Sequence, residues 1–480
     1  MIDLGTRHLA LIGFMGAGKT TVARELSRLL GRPFVDSDAE LEKSLGASIP
    51  QLFAEHGEPW FRDQEHLLIR ELLRSDEASV VALGGGAVGH AGTRTDLEER
   101  ARVAHVDESV DVCWRRVAAS DRPLARDRAT FRELYATRKP LYAALADVEG
   151  RGSTDLLLGF GRIHVEEGSY GHLPDLIPGE EPFVLVADEA VLELHPPPPS
   201  DRLANIYPIP SGERAKTVEV CQSLWDDLQA DRSTQMAVLG GGTATDAAGF
   251  VAATYMRGLG GWIPVPSTLV GQVDAAIGGK TGIDLVKGKN LVGAFNLPTR
   301  VVIDPALLDT LPEAQLAEGR AEVVKTGLLV GRPLWDLDLA DQVRACAAFK
   351  TAVCLSDPQE AGRRAILNLG HTFAHGLEAA GGYSGPTHGQ AVALGLRAAL
   401  RLSIDELGLD PGVLAQLEHA LPAEPVSVDA DAAWAAMAHD KKAKGGVLRL
   451  VLLEAMGKPV YGVELSPALV RAALDSLIVS

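Results

Sequence analysis

The sequence predicts an α/β protein: a first parallel-sheet domain, a second α/β domain, and a helical domain at the C-terminal end. Three observations carry this. Short apolar runs ending in glycines recur, as in HLALIGF (8–14), Val80–Leu83 before Gly84-Gly85-Gly86, and QMAVLGGG (235–242). Helical spacing comes between such runs, as in Thr21–Leu30 with Val22, Leu26, Leu29 and Leu30 recurring on one face, and strands alternating with helices give a parallel sheet. From residue 311 the alternation gives way to helical patterns.

In order, residues 1–160 read strand, glycine loop, helix, then a second strand in RPFVDSD, the run at Val80–Leu83 and another at Arg102–Val106. Residues 148–161, VEGRGSTDLLLGFG, are rich in glycine and small polar residues and read as a linker. RIHVEEGSYGHLPDLI restarts a β pattern, and FVLVADEAV (183–191), QMAVLGGG and GWIPVP (261–266) extend it across residues 161–310. The four prolines at 196–199 form a stiff exposed loop. Over residues 311–480, LPEAQLAEGRAEVVKTGLLV, RACAAFKTAVCL and AVALGLRAALRLSIDELG are helical, and no repeat is present.

Composition narrows the function. A net charge of −18 argues against a nucleic-acid surface. Four cysteines, with no CxxC pair, are no disulfide framework. The N-terminus lacks the pattern of a secretion signal, and no run of about 18 apolar residues suggests a membrane span. The expectation is a cytoplasmic enzyme acting on small molecules.

Gly13-Phe14-Met15-Gly16-Ala17-Gly18-Lys19-Thr20 fits the phosphate-loop pattern GxxxxGK[ST] between a strand and a helix. Glycines let backbone N–H groups curl around phosphate oxygens, Lys19 neutralises the β/γ-phosphates, and Thr20 suits Mg²⁺. Further along come Asp36-Ser37-Asp38, Phe61-Arg62-Asp63-Gln64-Glu65, the Gly84–Gly86 turn, Asp121-Arg122-Pro123-Leu124 and Arg138-Lys139-Pro140-Leu141-Tyr142. In this order and spacing, residues 8–148 resemble shikimate kinase, a P-loop NTPase-type fold. The resemblance implies that Gly16, Ala17, Gly18, Lys19, Thr20 and Thr21 cradle ATP, with Thr20 and Asp36 at Mg²⁺. Asp38 would orient the attacking hydroxyl of shikimate. Arg62 and Arg138 would fork its carboxylate, Gly84, Gly85 and Gly86 would admit its ring, and Arg122 would stabilise the transferring phosphoryl group from a lid. Family members continue with another strand and helix where the linker reading begins, so the kinase half reads as shortened.

In the second half the histidines stand out. His371 and His375 lie four residues apart on one helix face, His388 follows, and Glu322 precedes. A Glu with two His can bind Zn²⁺ and leave a position open; the spacing leaves open which two. The glycine turn Gly240-Gly241-Gly242 follows a strand but is not GxGxxG. The run PSGERAK, GGGTATD, FVAATYMRG, PVPSTLVGQVDAAIGGKTGID, GKNLVGAF, GRAEVVKTG, LNLGHTFAH, HGQAVALG and DKK, over about 162–475, resembles 3-dehydroquinate synthase. That implies a Rossmann-like NAD-binding domain and a helical metal-binding one. Glu322, His371 and His388 become ligands of Zn²⁺ or Co²⁺, and His375 a mechanistic residue. Glu213, Lys216, Gly242, Asp246, Ser267, Thr268, Lys280 and Lys289 would contact NAD⁺. Arg257, Asn290, Lys350, Glu360, Arg364, Asn368 and one of Lys441 and Lys442 would serve the heptulosonate phosphate, with Asp274 and Lys325 at its hydroxyls. Arg257 would reach across a homodimer interface. Gln390 departs from the family, which has Glu after HG, and Pro358 follows Asp357 where a second acidic residue is commoner.

The implied chemistry is oxidation of a heptulosonate phosphate by NAD⁺, β-elimination of phosphate, return of the hydride and ring closure, with no net redox change. Another sugar phosphate cyclase is the competing reading for the second half, and a non-catalytic nucleotide-binding module for the first. Lys350 and Arg364 favour a carboxylated substrate, and Asp38, Arg62, Arg122 and Arg138 favour a working kinase.

Overall fold

In the computed structural model, which describes residues 1–118, 127–286, 288–382, 385–439 and 448–479, the chain divides into two compact units, residues 2–161 and 162–480. Among the described residues no helix is long and apolar enough to cross a membrane.

The first unit is built on β1 (His8–Ile12), α1 (Lys19–Leu30), β2 (Phe34–Asp36), α2 (Ser37–Leu45), α3 (Ile49–Leu72) and β3 (Val80–Ala82). It continues with α4 (Ala91–Arg100), β4 (Ala101–Val106), α5 (Val110–Val117), α6 (Arg128–Leu145), β5 (Val148–Gly150) and α7 (Ser153–Gly161). The five strands described form one parallel sheet in the order β2-β3-β1-β4-β5. Every residue of β1 is buried, as a central parallel strand requires. Its C-terminal end therefore delivers the phosphate loop to the middle of the sheet edge. The chain of α3 is broken at Gly57 (φ 79°), with Pro59 following, so Phe61, Arg62 and Glu65 sit near the start of its second segment.

Residues 148–161 are not a linker. Val148–Gly150 pairs with Ala104–Val106 of β4, and α7 buries Leu156, Leu157, Leu158 and Phe160. The kinase-like half is thus not shortened. A three-residue strand followed by a glycine-flanked helix has the composition of a linker, and only its burial distinguishes it.

The second unit begins with β6 (Ile163–Val165), α8 (Leu173–Leu176), β7 (Phe183–Asp188), α9 (Glu189–Leu194) and β8 (Leu203–Ile209). Then come α10 (Val218–Asp227), β9 (Gln235–Gly240), α11 (Gly242–Thr254) and β10 (Gly261–Pro266). The parallel sheet runs β10-β9-β7-β8, and β6 pairs with β13 (Val301–Ile303). Lys280–Leu285 (β11) and Gly288–Phe295 (β12) form an antiparallel hairpin. The helices α12 (Glu313–Val330), α13 (Leu339–Ser356), α14 (His371–Gly381), α15 (His388–Leu407), α16 (Pro411–Ala420) and α17 (Ala430–His439) follow. The stretch expected to be wholly helical also contains a hairpin, β14 (Arg449–Ala455) with β15 (Lys458–Glu464), before α18 (Pro467–Asp475). Leu450, Leu452 and Leu453 bury one part of it, and the Leu453 N–H donates to Ser403 Oγ on α15 at 3.0 Å.

Candidate active sites

In the first unit the C-terminal ends of β1, β2 and β3 bring three motifs together. The phosphate loop bends through Gly13 (φ 145°), Gly16 (φ 83°) and Gly18 (φ 98°). Gly18 is the N-cap of α1 and offers no side-chain cap, so the orphan N–H groups of the first turn remain available to an anion. Lys19 Nζ lies over the loop, donating to the Gly13 and Phe14 carbonyls at 2.9 and 3.1 Å. Thr20 Oγ1 donates to Asp36 Oδ2 at 2.9 Å, the pair expected at Mg²⁺. The other oxygen of Asp36 accepts from the N–H groups of Asp38 and Ala39, which caps α2 and fixes Asp38.

Asp38, Arg62, Gly84, Gly85, Gly86 and Arg138 all line one cavity of about 350 Å³. Four predicted segments, far apart in sequence, therefore line one cavity. A Cβ on Gly84 would strike the carboxylates of Asp38 and Glu65, and one on Gly86 the guanidinium of Arg62; the glycines are what leaves room. The Arg62 fork donates to Glu58 at 3.1 and 3.2 Å and to Glu65 at 2.6 Å. Arg138 donates to the Gly85 carbonyl at 3.3 Å, as does the Tyr142 hydroxyl at 2.6 Å. Burial raises the carboxyl pKa of Glu65 against the pull of Arg62. Glu65 and Tyr142 lie in the quoted motifs without an assigned role, and the sequence gives no signal for Glu58 or for Arg116, whose guanidinium donates to the Gly16 and Ala17 carbonyls at 3.0 and 3.2 Å. Helix carboxylates and arginines look like surface charge until the fold faces them inward. Thr21 is exposed at the start of α1. Arg122 lies outside the described residues.

In the second unit Glu322, His371 and His388 converge: one oxygen and two ring nitrogens lie within 4.8 Å of one another. Glu322, on α12, is buried. Its Oε1 is 3.3 Å from His371 Nε2 and 3.2 Å from His388 Nε2, and its Oε2 pairs with buried Lys325. Burial opposes ionisation of Glu322, but Lys325 and the imidazoles hold it well below the usual carboxylate range. The two imidazoles differ. Burial and Lys325 lower the pKa of His371. For His388, burial also lowers it, but Glu322 and Glu378 prevail and raise it to about 10. A carboxylate and two imidazoles fit a divalent metal with a position left open. His375, one turn along α14, is exposed with its ring 5.6 Å from that of His371; it is outside the ligand cluster.

Beside this cluster, the π-helical turn Gly271–Ala275 presents Asp274. Lys350 Nζ donates to the Asp274 carboxylate at 2.8 Å and to its carbonyl at 2.6 Å. Burial disfavours the Asp274 anion, but Lys350 and Lys325 hold its carboxyl below the ordinary value. Arg364 is fully buried and donates to the Pro358 and Gly278 carbonyls. The Asp357 carboxylate accepts from the N–H groups of Ala361, Gly362 and Arg364, shaping the loop that carries Glu360 (φ 58°). Glu360 pairs with Lys280 at 2.5 Å. Asn368 bonds to Ala365 just before the helix of His371.

The glycine turn after β9 leads into α11, whose N-cap Gly241 also lacks a side-chain cap. A Cβ on Gly242 would press on that of Ala275. Ser267 Oγ is buried without a hydrogen-bond partner among the described residues, and Thr268 caps the π-helical turn through the Gly271 N–H. A bare helix N-terminus and an orphaned hydroxyl suit the pyrophosphate of a dinucleotide. Lys216 bridges Asp246 at 2.8 Å and Asn290 at 2.6 Å, and Lys289 pairs with Glu213 at 2.9 Å. Arg257 is exposed at φ 70°, and among the described residues no ion pair ties it to this network. Lys441 and Lys442 lie outside the described residues.

Family models for shikimate kinase match residues 15–155, for the 3-dehydroquinate synthase N-terminal domain residues 206–318, and for its C-terminal domain residues 319–443. A bifunctional shikimate kinase/3-dehydroquinate synthase from Thermotoga maritima is 32% identical over 94% of this chain and 96% of its own. A 3-dehydroquinate synthase from Halorhodospira halophila is 40% identical over 61% of this chain and 91% of its own. The solved 2-deoxy-scyllo-inosose synthase, complexed with carbaglucose-6-phosphate, NAD⁺ and Co²⁺, is 24% identical with a TM-score of 0.58, covering 66% of this chain and 96% of that one; it shares the fold of the second unit. With both sites assembled and a relative matched along nearly its whole length, the chain belongs to the family of bifunctional shikimate kinase/3-dehydroquinate synthases.

Proposed function

We propose that the first unit phosphorylates shikimate with ATP, and that the second converts 3-deoxy-D-arabino-heptulosonate 7-phosphate to 3-dehydroquinate and phosphate. The observation that carries this is the convergence of Asp38, Arg62 and Arg138 on one cavity beside the phosphate loop, with the Glu322–His371–His388 cluster in the second unit.

In the kinase, Arg62 and Arg138 hold the shikimate carboxylate, Asp38 orients the hydroxyl that attacks, and Lys19 neutralises the phosphates, with Thr20 and Asp36 suited to Mg²⁺. Positioning and charge compensation supply most of the rate. In the synthase, Glu322, His371 and His388 would hold Zn²⁺ or Co²⁺, and Gly242, Asp246, Ser267 and Thr268 would hold NAD⁺. When bound, the metal polarises a hydroxyl and NAD⁺ takes up and returns a hydride. Lys325 keeps its proton at Nζ, because Glu322 and Asp274 outweigh the cost of burying it, and so offers a hydrogen bond to a ring oxygen. Lys350 and Arg364 supply positive charge for the substrate carboxylate, and the exposure of His375 beside the cluster supports a role for it in moving a proton. A homodimer through the second unit fits this reading, and exposed Arg257 supports it.

The test gives the chain each substrate set separately. Phosphate and 3-dehydroquinate without accumulating NADH, and shikimate 3-phosphate with ATP, are expected. Lys19→Ala abolishes only the second activity and His371→Ala only the first. No phosphate release from folded, metal-loaded protein would overturn the synthase assignment.

A further inference from the structure

The candidate ligand His388 is gripped from both sides. Its Nε2 faces Glu322 at 3.2 Å and its Nδ1 faces Glu378 Oε1 at 3.2 Å. The other candidate imidazole, His371, has its Nδ1 on the Leu369 carbonyl at 3.1 Å. Each ring therefore has the nitrogen away from Glu322 pinned, one by a neutral carbonyl and one by a carboxylate.

We infer that Glu378 is a positioning residue for the metal site, fixing the tautomer and ring orientation of His388 so that Nε2 faces the ion. The inference rests on the metal reading given above. The helix periodicity explains the placement. Glu378 lies seven residues after His371 on α14, two turns along the same face, so one helix supplies both a ligand and the support of the other ligand.

His388 needs that support more than His371 does. It is the first residue of α15, its backbone set by the Thr387–Gln390 capping box, and its side chain is 37% exposed against 12% for His371. A half-exposed imidazole at a helix start is less constrained by packing than a buried one. An Nδ1–H bond to a carboxylate removes that freedom and makes Nε2 a stronger donor, the effect of an outer-shell carboxylate on a metal-bound histidine. Glu378 also adds negative charge to a cluster where Lys325 offsets that of Glu322.

The measurement is the affinity of the full chain for Co²⁺ and for Zn²⁺, by competition with a chromophoric chelator, together with the visible spectrum of bound Co²⁺. Outer-shell losses of this type run to about 10–100-fold in metal affinity, and Glu378→Ala is expected to fall in that range with a changed Co²⁺ spectrum. Glu378→Gln keeps an acceptor for Nδ1–H and is expected to lose less. A purely structural role would lower thermal stability while leaving the affinity and spectrum of the folded protein unchanged, and that result overturns the inference. If the parent chain binds neither ion, or His371→Ala binds as tightly as the parent, the metal reading itself fails and this inference with it.

Discussion

Arg62 shows how much a single side chain is asked to do. Its fork spans two glutamates and faces the cavity that Asp38 and Arg138 share. Lysine offers a point charge where the site needs a planar fork. Arg62→Lys should raise the KM for shikimate by about tenfold or more with a smaller change in kcat, in keeping with ~1.5–3 kcal/mol for a charge-assisted bond; steady-state kinetics over a shikimate series checks it. Gln390 makes the opposite point. The departure from the family pattern falls on a helix cap: Gln390 Oε1 accepts the Thr387 N–H at 3.1 Å, and Thr387 Oγ1 accepts the Gln390 N–H at 3.4 Å. Glutamate closes the same box, so Gln390→Glu should change the synthase kcat/KM by less than about twofold, a surface-scale effect. Motif residues such as Lys19, Asp38 and His371 were legible because their spacing is tied to a phosphate or a metal. The roles of Glu65 and Glu378 were not, since a carboxylate on a helix has the sequence signature of solvated charge whichever way it faces.

At the scale of elements, the apolar runs of β1, β7 and β9 announced themselves because both faces of those strands are buried. The hairpin β11–β12 did not, because β12 is mostly exposed and lacks a two-residue alternation. The hairpin β14–β15 was hidden by the helical stretch before it. The element most at odds with its composition is α7, and it carries the clearest test. Phe160 is fully buried in it, and truncating such a residue costs about 3–5 kcal/mol. Phe160→Ala should lower the unfolding midpoint of the first unit and its kinase activity at 37 °C, while synthase activity persists. A linker residue would tolerate the change.

For the whole molecule, acid should act on the first unit through the buried His8 and the partly buried His66. Burial lowers the pKa of His8 below 6.5, with Arg32 and Arg100 adding to the effect and a bond to the Ser75 carbonyl opposing it. Burial and the charge of the neighbouring His90 also lower the pKa of His66, with Asp96 and Asp63 opposing. The unfolded chain takes up these protons near pH 6.5 and the folded unit resists them, so stability held above that pH is lost as pH falls through it. The unfolding midpoint at pH 5.5 should lie below that at pH 7.5, and the difference should shrink in His66→Gln.

The position of the last kinase strand and helix also bears on how the chain is made. The five described strands of the first sheet all lie before residue 162, so this half is expected to fold once α7 clears the ribosome, with the rest of the message still untranslated. The other half has no such privilege. Its first strand, β6, pairs with β13 from much later in the chain and must wait for that partner, a long loop to close. On the ribosome the kinase is a finished neighbour while the synthase is still gathering its parts.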